Sequence, residues 1–163
     1  MLKCVNNKKD NDENYIYNSN NSTFGLVNSM AEEVNPKITS TKQYIDKELL
    51  KVQKYADEGL SGKFPRKCAP FSSRLVKYTY PDAPKEIYDY YANAENVCYG
   101  KLYAMALQAK LKKEGKIVCE AMEVRLQITH IKRHIEKTND MPTWNSFMDD
   151  YKKICPNNSN TGY

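Results

Sequence analysis

The sharpest chemical arrangement in this sequence is His130-x-x-x-His134, because two histidines four residues apart on a helix project from the same face and can share one metal ion. Cys119, Glu123 and Leu126 fall on that face when the stretch 117–137 is drawn as one helix at about 100° per residue. Three features count against a metal. Lys132 and Arg133 lie between the histidines and raise the local positive potential. Cys119 is about three turns away from His130 along the helix axis. The motif also lacks the glutamate of H-E-x-x-H. The expectation is therefore no metal, no cofactor and a solvated or half-buried polar face.

Other catalytic chemistries are weaker still. A cysteine with a histidine base is the only nucleophile pairing on offer, with no local motif to support it. The carboxylate pairs Asp57-Glu58 and Asp149-Asp150 read as exposed helix charges. Six glycines stand singly, so no phosphate-binding loop is present. No catalytic residue is assigned, and a metal- or thiol-dependent enzyme ranks last among the functions considered.

The second signal is the segment 59–81, GLSGKFPRKCAPFSSRLVKYTYP, which has no acidic residue. Lys63, Arg66, Lys67, Arg74 and Lys77 alternate there with Phe64, Phe71, Tyr78 and Tyr80. Basic side chains neutralise phosphates and exposed rings stack on unpaired bases, so the pattern suits a nucleic acid. It equally suits a protein partner gripped by Phe64 and Phe71. The partner-binding candidates are thus Lys63, Phe64, Arg66, Lys67, Phe71, Arg74 and Lys77, with the cluster Lys110, Lys112, Lys113 and Lys116 joining them in the nucleic-acid reading.

Composition limits how far the charge can be used. The net charge is +5 and the sequence pI is about 8.8, modest for a dedicated nucleic-acid binder. Lysine greatly outnumbers arginine, and asparagine and tyrosine are abundant, as in chains encoded by AT-rich genomes. A mean hydropathy of −0.77 and no long apolar run exclude a membrane-spanning segment. The N-terminus lacks the apolar stretch of a secretory signal. Five cysteines, Cys4, Cys68, Cys98, Cys119 and Cys155, are odd in number and form no C-x-x-C pair. Both features suggest reduced thiols and an intracellular address.

The elements that must position these residues are helices. Residues 1–36 read as a disordered, asparagine-rich tail, whose one apolar cluster, Phe24, Leu26, Val27 and Met30, is a candidate docking segment. Residues 37–156 read as the domain. Apolar spacings of three and four predict helices over 40–58, 83–114, 117–137 and 142–155, and 157–163 form a flexible C-terminal tail. Ser40 with Gln43 is read as a capping box. The segment 59–81 becomes a long linker between helices one and two, with an extended piece over Leu75–Tyr80. Gly100, inside the second helix, marks a kink or a close helix contact. Gly115 provides a short turn, so helices two and three should be antiparallel neighbours. Trp144 is expected to anchor the core.

The fold class is accordingly all-α: a small bundle of about four helices with a disordered N-terminal tail and a basic-aromatic linker. The expected function is a non-enzymatic protein-interaction module or subunit of a larger assembly, with a nucleic-acid-binding protein as the alternative.

Overall fold

A computed structural model describes residues 35–158; residues 1–34 and 159–163 lie outside the described part, and with them the docking segment Phe24, Leu26, Val27 and Met30. The described residues are helical, with no strand among them. No described helix is long and apolar enough to cross a membrane.

Helix α1 runs Pro36–Asp57. It starts four residues before the expected cap at Ser40. The Asn35 side chain accepts the backbone N–H of Lys37 at 3.0 Å, and Pro36 occupies a first-turn position where its missing N–H costs nothing. Ser40 sits inside the helix, donating to the Lys37 carbonyl at 3.1 Å. The buried stripe is Ile45, Val52 and Ala56, with Leu49 partly buried beside it. Gly59 ends the helix at φ +71°, and a Cβ there would stand 3.2 Å from the backbone nitrogen of Lys110. Both the left-handed backbone and this close approach to the helix Tyr103–Glu114 require glycine.

The expected linker is not a linker. A 3-10 turn at Ser61–Lys63 leads into α2 (Phe64–Cys68), then a second 3-10 turn (Ala69–Phe71) and α3 (Ser73–Thr79), so all of Leu75–Tyr80 but its last residue is helical rather than extended. Helices this short are marginal in water and need tertiary support. Phe64, Cys68, Phe71 and Val76 supply it by burying themselves completely or nearly so.

The expected helix 83–114 is one rod in three parts: α4 (Lys85–Val97), a π turn (Cys98–Leu102) and α5 (Tyr103–Glu114). The π turn contains Gly100, where a Cβ would meet Ile135 Cγ1 at 3.3 Å. The glycine therefore serves the close helix contact, while the widened turn shifts the register of the side chains on either side.

The segment 117–137 is broken. Helix α6 covers only Lys116–Cys119; Ala121 is extended, and α7 begins at Met122 and ends at Thr138. Ile117 is 82% exposed, so the buried stripe starts at Val124 and continues through Ile128, Ile131 and Ile135. Asn139, at φ +53°, closes α7 in the left-handed conformation that asparagine tolerates. Helix α7 runs antiparallel to the α4–α5 rod: His130 meets Tyr99 and Tyr103, and His134 meets Asn96.

Helix α8 (Met141–Ile154) starts at Asp140, whose side chain accepts from Thr143 N–H. It packs on α5, where Gln108 donates to Asp150 at 2.9 Å and Lys112 pairs with the same carboxylate. Phe147 and Tyr151 are its buried residues; Trp144 is only partly buried at the edge. Residues 156–158 form a further 3-10 turn, with the Asn158 amide donating to the Cys119 carbonyl, so the flexible tail does not begin at 157.

Two disulfides overturn the expectation of reduced thiols. Cys68 at the end of α2 is joined to Cys98 in the π turn, and Cys119 at the end of α6 to Cys155 beyond α8. The partners lie 30 and 36 residues apart on separate elements, so no local spacing announces them. The odd count arises from Cys4, outside the described residues.

Candidate functional site

The segment 59–81 separates into an inner and an outer face. Phe64 is 0% exposed and stacks on Tyr103, with ring centroids 5.1 Å apart and planes 7° from parallel. Phe71 is buried as well. Neither ring is available to a partner, which corrects their assignment as contact residues. The amphipathic logic is that of a helix period: Phe64 and Cys68, four residues apart, point inward, and Pro65, Arg66 and Lys67 between them point out.

That outer face forms a concavity of about 660 Å³ lined by Leu60, Gly62, Lys63, Arg66 and Lys67. The structure thus brings Lys63, Arg66 and Lys67 together. Lys67 also places its ammonium 5.1 Å from the centre of the Tyr55 ring, a cation–π contact to α1. Arg74 and Lys77 are exposed on α3 and do not line the concavity. The support beneath the three cations is unusually firm for a five-residue helix. Phe64 is buried at one end and Cys68 is covalently tied to the π turn at the other.

The cluster Lys110, Lys112, Lys113 and Lys116 is partly neutralised. Lys112 pairs with Asp150 at 2.8 Å, and Lys116 lies 3.7 Å from Glu120.

The histidines occupy a different place. His130 and His134 lie with ring centroids 4.7 Å apart, packed against Tyr99 from the π turn. His134 is 8% exposed, and its Nδ1 lies 3.2 Å from the Asn96 side-chain oxygen. Burial, followed by the charges of His130, Lys137 and Arg133, pushes the His134 pKa down to about 4. Burial and Arg133 lower that of His130. Cys119 is in α6 and bonded to Cys155, far from the pair in role as well as in sequence. No group of three or more metal-ligating side chains occurs among the described residues.

No protein-family model, curated protein or solved structure matches this chain. The site must be judged on its own geometry.

Sequence reasoning found the three cations but missed their support. Tyr103 as the stacking partner of Phe64, and Cys98 as the anchor of α2, come from a rod 39 and 30 residues downstream of the residues they hold. Gly100, the one local signal in that rod, marks its contact with Ile135 on α7 and not the support beneath α2.

Proposed function

We propose that this chain is a non-enzymatic interaction domain whose basic concavity around α2 docks an acidic region of a partner protein. The observation that carries the reading is the convergence of Lys63, Arg66 and Lys67 on one concavity of about 660 Å³, within a segment devoid of acidic residues. Binding sites on braced elements lose less side-chain and backbone freedom on association, and the Cys68–Cys98 bridge supplies that bracing.

The nucleic-acid alternative loses two of its four candidate stacking rings. Phe64 and Phe71 are inside, while Tyr78 on α3 remains exposed but lies outside the concavity. The lysine cluster on α5 and α6 is partly spent on Asp150 and Glu120. Four of the five cysteines carry no free thiol, so thiol catalysis has only Cys4 left to draw on.

The two bridges also support a working address different from the intracellular one expected. Disulfides persist in oxidising compartments and are rare where glutathione keeps thiols reduced. The reading is therefore of a disulfide-braced helical domain acting outside the reducing cytosol.

The test uses the full oxidised chain as bait in the native extract. A charge-reversed form, Lys63→Glu with Arg66→Glu and Lys67→Glu, is run beside it, each with and without nuclease. The expected result is an acidic protein captured by the wild type, insensitive to nuclease, released by moderate salt, and absent from the charge-reversed bait. Capture unaffected by charge reversal, or abolished by nuclease, overturns the proposal. Equal melting temperatures for the two baits show that the fold is intact.

A further inference from the structure

A second cavity, of about 310 Å³, opens where α7 crosses the π turn. Its walls are Pro65, Tyr99, Tyr103, Glu123, Leu126, Gln127 and His130. The volume is at the lower end of that of small-molecule sites, and π turns recur at functional positions. The π turn and the residue that follows it supply the two tyrosines, Tyr99 and Tyr103. The Tyr99 hydroxyl donates to the Pro65 carbonyl at 3.3 Å, which closes the wall between the turn and α2.

The polar side chains in these walls can all accept a hydrogen bond. Gln127 is 8% exposed; its Nε2 donates to Glu123 at 3.2 Å, and its buried Oε1 has no hydrogen-bond partner. A buried amide oxygen left without a donor is costly, so a rotation of the Gln127 amide that turns Oε1 from its covered position toward a donor in the cleft is favoured. Glu123 is a carboxylate exposed at the rim, near enough to Tyr103 to act on its phenol. His130 retains a nitrogen lone pair when neutral. The tyrosine faces carry the negative side of the ring quadrupole. No lysine or arginine is among the described residues lining the cavity; Arg133 acts on His130 from outside it. In a chain of net charge +5, this is a local concentration of acceptors and electron-rich rings.

We propose that this cleft binds an organic cation rich in hydrogen-bond donors, a guanidinium or a primary ammonium. Glu123 compensates its charge, Gln127 Oε1 accepts one of its N–H groups, and Tyr99 and Tyr103 pack against its flat or aliphatic part. A quaternary ammonium satisfies the rings but not the amide oxygen, and an anion meets Glu123. The cleft is separate from the basic concavity, so the inference stands independently of the docking proposed there.

The experiment is a nuclear magnetic resonance titration of the full oxidised chain with N-acetyl-arginine amide, against N-acetyl-citrulline amide as an uncharged match. Saturable shifts of the His130 ring and the Gln127 side-chain amide are expected with the arginine probe. Citrulline should bind at least about tenfold more weakly, as should the arginine probe to Glu123→Gln, since a charge-assisted pair is lost in each case. Lys63→Glu should leave the affinity unchanged. Equal binding of citrulline, indifference to Glu123→Gln, or no shift at millimolar probe overturns the proposal. Glu123 is exposed, so its variant keeps the fold. A blocked peptide with arginine at its centre separates the two sources of the cation. Binding as tight as the small probe assigns an arginine of a partner protein; binding of the small probe alone assigns a free small molecule.

Discussion

Phe64 and Tyr103 lie face to face, 5.1 Å between ring centroids, across an interval of 39 residues. This pair joins the short helix α2 to the start of α5, and with the Cys68–Cys98 bridge it holds the basic face outward. Phe64→Ala should destabilise the domain by about 3–5 kcal/mol, because a large ring is replaced by a cavity that the surrounding helices only partly fill. Chemical denaturation measures this directly. Lys63→Glu and Arg66→Glu should each shift stability by no more than about 0.5 kcal/mol, as for most exposed substitutions, and Lys67→Glu somewhat more because it loses the contact with Tyr55.

Peptide mapping without reductant should recover Cys68 linked to Cys98 and Cys119 linked to Cys155. Closing a loop of about 30 residues restricts the unfolded chain, worth roughly 3–4 kcal/mol in the chain-entropy account. The double variant Cys68→Ala with Cys98→Ala should therefore lower the unfolding free energy substantially, and should loosen α2 before the rest of the bundle. Hydrogen exchange resolves the order. Uniform loss of protection across α2 and α7 would show that the bridge does not act on α2 in particular.

The buried His134 makes stability depend on pH. Its folded pKa of about 4 is below the ordinary value of 6.5, so the unfolded chain takes up the proton first as pH falls. This histidine's contribution is complete above about pH 6.5, declines from there to about pH 4, and does not change further below that. The loss is on the order of 3 kcal/mol. Urea denaturation at pH 7 and pH 4.5 should show it, and His134→Gln should flatten this part of the profile. Titration of the ring resonances should place His134 near 4, with His130 below its ordinary value.

Helix α8 has its anchor at Phe147, not Trp144. Phe147 is 0% exposed and touches both Trp144 and Tyr151, with ring centroids 6.0 and 6.2 Å away. Phe147→Ala should cost about 3–5 kcal/mol, and Trp144→Ala distinctly less because part of its ring already meets water. Paired denaturation curves decide the order; a larger loss at Trp144 would contradict the burial pattern.

The helical class and the approximate course of α1, the α4–α5 rod, α7 and α8 were legible in the sequence because they depend on local physics, whereas the count of about four helices was too low. Apolar residues three and four apart on α1, α7 and α8 declare a buried face, Gly59 and Pro142 punctuate the chain, and Gly100 stands out as a contact point. Interactions between neighbours in the chain decide such features, and the sequence lists those neighbours. The break at Ala121 was hidden, since Ile117 continues the spacing of the isoleucine stripe yet faces water. Periodicity marks which residues share a face and not whether the helix carrying them is continuous. Tertiary structure alone decided that the segment 59–81 coils into short helices, that Phe64 turns inward to meet Tyr103, and that four cysteines pair. Each depends on a partner 30 or more residues away, and the free energy that makes a five-residue helix stable comes from that partner. The same reason explains the cleft at the π turn: Glu123, Gln127 and His130 share one helix face in the sequence, but Tyr99, Tyr103 and Pro65 reach it only when the rod and α2 fold against α7.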